Sequence, residues 1–115
     1  MWDVSAYPEI NDLMLAADVA VLDYSSTRHD WLITGKPVVF FVPDLEDYLS
    51  ARTVLYDFPP TAPGPLLATT NEVADALLDL GAVVSEYAAA RELFNKEFNR
   101  LHDGHATERV INAFF

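Results

Sequence analysis

Val19-Ala20-Val21-Leu22-Asp23-Tyr24-Ser25-Ser26, answered downstream by Thr34-Gly35-Lys36-Pro37-Val38-Val39-Phe40-Phe41-Val42, is the stretch that decides the fold. Val19 to Leu22 is short and apolar throughout, which suits a parallel strand covered by helices on both faces. It stops at Asp23. Ser26 or Thr27 then caps a helix that runs through Trp31 and Leu32 to Thr34, and Gly35 supplies a left-handed stop. Val38 to Val42 reads as a second buried strand. The unit is strand, turn, helix, turn, strand, with a right-handed crossover expected.

Outward from this unit the pattern remains α/β. Tyr7-Pro8-Glu9 opens a helix whose apolar residues Ile10, Leu13, Met14 and Ala17 recur at i, i+3, i+4 and i+7. Asp44 to about Arg52 reads as a short helix with Leu45, Tyr48 and Leu49 on one side. Prolines at 59, 60, 63 and 65, with Gly64, make residues 57–65 a loop. Thr69-Thr70-Asn71-Glu72 is a capping-box pattern ahead of a helix from Val73 to Leu80, closed by Gly81. A longer helix is expected from Ser85 to Asn99, with Tyr87, Leu93, Phe94 and Phe98 on its apolar stripe. Thr107 to Phe115 forms a last helix with Val110, Ile111 and Phe114 facing inward. Two strands are few for a parallel sheet; residues near Trp2 and Val4 are read as a third, and Leu66-Leu67-Ala68 as a fourth. The chain starts as though in the middle of a βαβ series, so a preceding piece is expected, and residues 1–115 are read as one domain.

Composition narrows the function classes. A chain of 115 residues, 51% hydrophobic, can enclose a core. With no cysteine, neither a disulfide framework nor a thiolate metal site is available, and the cytosol is the default compartment. No apolar run approaches the ~20 residues that span a bilayer, and Met1-Trp2-Asp3 lacks the basic and apolar stretches of a secretory signal. A formal charge of −11 with only seven Lys and Arg argues against nucleic acid, whose affinity comes from cations neutralising backbone phosphates. An anionic ligand must therefore be held locally, by main-chain amides at a helix start.

Open parallel sheets place ligands beyond the carboxyl ends of their strands, here the turn Asp23 to Ser26 and the segment after Val42. A helix starting at Ser26 is expected to present the free amides of Thr27, Arg28 and His29, with the hydroxyls of Ser25, Ser26 and Thr27, to a phosphate, and Arg28 adds charge. Simple capping by Ser26 and Thr27 is the alternative, and the two roles can coexist. Asp23 either fixes the turn through downstream amides or touches a substrate hydroxyl. Asp30, in the first helical turn, is read as structural. Asp103-Gly104-His105-Ala106-Thr107-Glu108-Arg109 leads into another helix start and is a second anion candidate. His29, His102 and His105 have neither HxxxH nor HExxH spacing, so a metal site has no support, and no GxSxG, Walker loop or GxGxxG occurs.

Five motifs in order carry a resemblance that periodicity does not supply: Tyr7-Pro8-Glu9-Ile10-Asn11-Asp12, Ala16-Ala17-Asp18-Val19, Asp23-Tyr24-Ser25-Ser26, Thr34-Gly35-Lys36-Pro37 and Asp103 to Arg109. Over nearly its whole length the chain resembles the C-terminal part of the CDP-glycerol glycerophosphotransferases of teichoic-acid synthesis. The resemblance implies the Rossmann-like C-terminal lobe of a two-lobed GT-B transferase, with a short parallel sheet flanked by helices. It implies that Ser25, Ser26 and Thr27 hold the diphosphate of CDP-glycerol or a related nucleotide-activated polyol, with Thr107 approaching the same group. Asp23, Asp103, Gly104 and Arg109 complete the implied substrate-binding set, although Arg109 can equally be tied to a carboxylate of its own fold. No cofactor is implied. The family's catalytic histidines lie upstream, in a missing N-terminal lobe, so no catalytic residue is assigned here. The implied acceptor is a lipid-linked teichoic-acid chain, met by a full-length enzyme peripheral at the inner face of the cell membrane.

Two departures stand out: Arg28-His29 where apolar residues are common, and Arg52-Thr53 where Arg-Gly is common. The alternatives are the donor lobe of another GT-B enzyme that uses UDP-sugars, a transferase or an epimerase, or a non-catalytic nucleotide-binding or assembly module. A lobe separated from its partner exposes an apolar face, so self-association is expected.

Overall fold

Val38, Val39 and Phe40 are completely buried, because the strand they form lies in the middle of the sheet with helices on both sides. The computed structural model describes residues 2–51 and 58–115. Strands β1 (Ala20–Leu22), β2 (Val38–Phe41) and β3 (Leu66–Leu67) form one parallel sheet in the order β1-β2-β3. Ala20 pairs with Val38 and Leu22 with Phe40, while Phe40 and Phe41 pair with Leu66 and Leu67. Helices α1 (Ile10–Ala16), α2 (Thr27–Ile33), α3 (Leu45–Ala51) and α4 (Phe58–Thr61) precede β3; α5 (Thr70–Leu78), α6 (Leu80–Glu86), α7 (Ala88–Phe98) and α8 (Ala106–Phe114) follow it. Met14, Trp31, Leu32, Val42, Phe58 and Phe94 close the core around β2. The fold is thus α/β with a short parallel sheet flanked by helices, as expected.

The helix starts and stops have local causes. Glu9 caps α1 by accepting the Asn11 amide at 3.0 Å. Lys36 closes the other end of that helix, its Nζ donating to the carbonyls of Leu15 and Ala17, each at 2.7 Å, and of Met14 at 3.3 Å. A cation on terminal helix carbonyls satisfies acceptors that have no intrahelical donor and complements the dipole. Gly35 ends α2 at φ 73°, where a side chain would be strained. The Trp31 indole then donates to the Pro37 carbonyl at 3.1 Å and ties the end of α2 to the start of β2. Replacing Lys36 with methionine, which keeps the stem and removes the donors, is expected to cost about 1–2 kcal/mol in thermal or urea unfolding.

Helix α7 is fastened to α2 by two amides. Asn95 Nδ2 donates to the Leu32 carbonyl at 2.7 Å, and Asn99 Nδ2 to the His29 carbonyl at 2.9 Å. Arg91 is also buried on α7; one guanidinium nitrogen donates to the Val84 carbonyl at 2.8 Å, and burial lowers the pKa of the group.

Several expectations are corrected. Leu66-Leu67 is a strand, but none forms near Trp2 and Val4, where Trp2 is 91% exposed. Gly81 lies inside α6 rather than closing α5; the break falls at Asp79, whose φ of −113° and ψ of 51° leave the helical region and whose carboxylate caps α6 through the Ala82 amide. The long helix from Ser85 is interrupted at Tyr87 for the same kind of reason. Within the expected loop, Phe58 to Thr61 makes one helical turn, with prolines at positions early enough to need no amide donor. On α8, Val110, Ile111 and Phe114 are exposed rather than facing inward. The amphipathic pattern marks the helix, but its apolar side is not buried against the described residues. Arg52-Thr53 and Asp57 lie outside the described residues.

Candidate functional site

The turn after β1 is built by its own side chains. Asp23 Oδ1 accepts the Ser25 amide at 2.8 Å, which bends the chain out of the strand. Ser25 Oγ accepts the Thr27 amide at 3.2 Å and donates to Thr27 Oγ1 at 2.8 Å. Thr27 Oγ1 therefore keeps a proton with no acceptor among the described residues. The amides of Arg28 and His29 return to the carbonyls of Ser25 and Ser26 at 3.4 and 3.0 Å.

This arrangement corrects the expected fan of free amides at Thr27, Arg28 and His29, which are engaged within the turn. It is also Ser25, and not Ser26 or Thr27, whose side chain caps α2. Ser26 is exposed, and neither its amide nor its hydroxyl has a hydrogen-bond partner among the described residues. Arg28 does not extend toward an anion beyond the turn: its Nη1 donates to the Tyr24 and Ser25 carbonyls at 3.1 and 3.4 Å, and its guanidinium lies 4.7 Å from the centre of the Phe58 ring. His29 packs against Phe94 and Phe98, and burial lowers its pKa, which favours the neutral ring.

Two clefts open at the carboxyl ends of the strands. One, of about 400 Å³, is lined by Val42 to Asp47 and by Leu66 to Ala68. The other, of about 370 Å³, is lined by Val21, Leu22, Asp23 and Phe41. Tyr24 spans from the turn toward the first: its hydroxyl donates to Asp44 Oδ1 at 2.8 Å, and its ring stacks on Tyr48 at 3.6 Å with 6° between planes. Twenty residues separate Tyr24 from Asp44, and no local pattern announces their meeting.

The second anion candidate folds back on itself. Arg109 Nη1 meets both oxygens of Asp103 at 2.7 Å, and Nη2 donates to the Leu101 carbonyl at 2.7 Å. Asp103 also accepts the His105 amide at 3.0 Å, and the Arg109 bond first, then that amide, lowers its pKa. His105 Nδ1 lies 2.9 Å from Glu108 Oε2. Gly104 and Thr107 are exposed, and among the described residues no hydrogen bond or ion pair joins residues 103–109 to the turn at 23–27. The structure thus brings Asp23, Ser25, Ser26 and Thr27 together in one turn, and Asp103, Gly104, Thr107 and Arg109 together in a second turn not bonded to it among the described residues. Among the described residues no cluster of His, Asp and Glu suits a metal ion, and no helix is long and apolar enough to cross a membrane.

Residues 1–115 match the family described as CDP-Glycerol:Poly(glycerophosphate) glycerophosphotransferase. The chain is 35% identical over 115 residues to the teichoic acid poly(glycerol phosphate) polymerase of Bacillus subtilis (strain 168), covering 99% of this chain and 15% of that protein. It is 35% identical over 114 residues to the teichoic acid glycerol-phosphate transferase of Staphylococcus aureus (strain NCTC 8325 / PS 47), covering 98% and 29%. Among solved structures, the wall teichoic acid polymerase TagF superposes with a TM-score of 0.86 at 28% identity, covering 94% of this chain and 27% of that one. The chain therefore spans less than a third of the length of these relatives. On the full-length family match and these identities, the chain belongs to the CDP-glycerol:poly(glycerophosphate) glycerophosphotransferase family.

Proposed function

We propose that the chain is the donor-binding lobe of a GT-B glycerophosphotransferase, holding the diphosphate of CDP-glycerol at the Asp23 to Thr27 turn. The observation that carries this reading is Ser26: an exposed residue at the mouth of a parallel sheet whose amide and hydroxyl have no partner among the described residues. The Thr27 hydroxyl, polarised by the Ser25 hydroxyl that donates to it, adds a third donor. Donors already fixed by the turn cost little to organise when an anion arrives, and an oriented helix start favours negative charge. Support also comes from the TagF family of structures, one of which is a variant with CDPG.

In the full-length enzyme the acceptor hydroxyl attacks the β-phosphorus of CDP-glycerol. The new P–O bond extends the teichoic-acid chain as the bond to the CMP oxygen breaks, and CMP leaves with that oxygen's charge. The proton leaves the acceptor hydroxyl to a base outside this chain. The turn's part is to orient the diphosphate and to oppose the charge that develops there. Asp103 to Arg109, exposed and self-paired, contributes to the donor only if a ligand draws Arg109 away from Asp103.

Calorimetric titration of the folded chain tests the reading. CDP-glycerol or CMP is expected to bind with a Kd of about 1 mM, near −4 kcal/mol, as befits one wall of a two-walled site. UDP-GlcNAc should compete poorly. A folded sample with no affinity for any cytidine nucleotide would overturn the proposal, and preference for the UDP-sugar would move the chain to another donor class.

A further inference from the structure

Tyr24 is the one member of the 23–27 turn whose side chain, among the described residues, makes a hydrogen bond or ring contact outside it. The internal bonds of Asp23, Ser25 and Thr27 fix the local shape of the turn but do not anchor it against the rest of the molecule. The strand that leads into it, β1, has three residues and lies at the sheet edge. Its anchorage comes from Tyr24: the hydroxyl on Asp44, the ring flat on Tyr48, and an edge contact with Phe58 at 6.4 Å. Arg28 reinforces it by donating to the Tyr24 carbonyl while lying over the same Phe58 ring.

We propose that Tyr24 and Asp44 form a positioning clasp: the hydroxyl-to-carboxylate bond holds the Asp23 to Thr27 turn in one orientation against α3 and so sets its affinity for a diphosphate. The inference rests on the donor-lobe reading for its ligand but not for its geometry. Burial and then the Asp44 bond push the Tyr24 phenol well above its usual pKa, so it remains a donor throughout the ordinary pH range. A charge-assisted bond of this kind is stronger than a neutral one, and the flat Tyr48 stack restricts the ring to a narrow arc in which the hydroxyl meets Asp44. Asp44 also lines the cleft of about 400 Å³, so the clasp ties the turn to the wall of that cleft. Neither Tyr24 nor Asp44 is given a contact with the ligand; both act through Ser25, Ser26 and Thr27.

The test uses the ¹⁵N-labelled chain with Tyr24→Phe, Asp44→Ala and Asp44→Asn, read by amide exchange at Ser25 and Thr27 and by titration with CMP and CDP-glycerol. Tyr24→Phe keeps the ring and its stack, so loss of the fold does not obscure the result. Tyr24→Phe and Asp44→Ala are expected to speed exchange at Ser25 and Thr27 by about fivefold and to weaken cytidine-nucleotide binding by about fivefold, with the Glu72 amide in the α5 capping box unchanged. Asp44→Asn keeps an acceptor oxygen without the charge and should restore part of both. Unchanged exchange in Tyr24→Phe and Asp44→Ala, or an Asp44→Asn as damaging as Asp44→Ala, overturns the clasp. Absence of nucleotide binding by the unsubstituted chain removes the donor reading alone, and exchange then decides the clasp.

Discussion

Ser26→Asp is expected to abolish cytidine-nucleotide binding while leaving the folded chain as stable as before or slightly more so. The two effects have opposite signs because they act on the same helix start. Ser26 is exposed and its hydroxyl makes no hydrogen bond among the described residues, so substituting the side chain removes no internal bond. A carboxylate at the cap position of α2 complements the helix dipole, which adds about 0.5 kcal/mol. A diphosphate brought to within about 4 Å of that carboxylate meets a repulsion of roughly 4 kcal/mol at an effective dielectric of ~20, which is about a thousandfold in affinity. Calorimetry and a thermal melt on one sample read both quantities. Retained binding beside an unchanged melt would place the anion somewhere other than this turn.

Gly64→Ala should lower stability by about 3 kcal/mol, measured by urea unfolding with an unchanged m-value. Gly64 is buried, and a β-carbon built on it would overlap the Val38 carbonyl oxygen and crowd Val38 Cγ1. Val38 is wholly buried in the central strand and has nowhere to move, so the added methyl must push Pro63 to Pro65 outward and with them the start of β3. Gly81→Ala is the contrasting case. Gly81 sits inside exposed α6 with open space where a β-carbon would go, so the same change there should stabilise by about 0.5–1 kcal/mol.

The central unit of the fold was legible because its signals are local and agree with one another. The apolar runs at Ala20–Leu22 and Val38–Phe41, the stop at Gly35 and the capping box at Thr69 and Glu72 all appear where their residue types place them. The expected bonding of Asp23 to a downstream amide is likewise a two-residue matter. What was not legible depends on partners distant in the chain. The phenol of Tyr24 finds Asp44, and Asn99 finds the His29 carbonyl; nothing at either position announces the other. The free amides expected at Thr27, Arg28 and His29 are a subtler miss. A turn rich in hydroxyls and carbonyls can satisfy its own donors through short i to i+3 bonds, and that choice depends on backbone angles which residue type leaves open.

Every residue from Arg100 to Phe115 is exposed, and α8 has nine residues. A helix of that length, without a surface to lie on, is marginal in water, because the cost of its first turn is recovered only over ~12–15 residues. The final segment is therefore expected to wind and unwind on its own free-energy scale while the sheet remains intact, so that a melting midpoint reported by buried Trp31 describes the sheet and its covering helices.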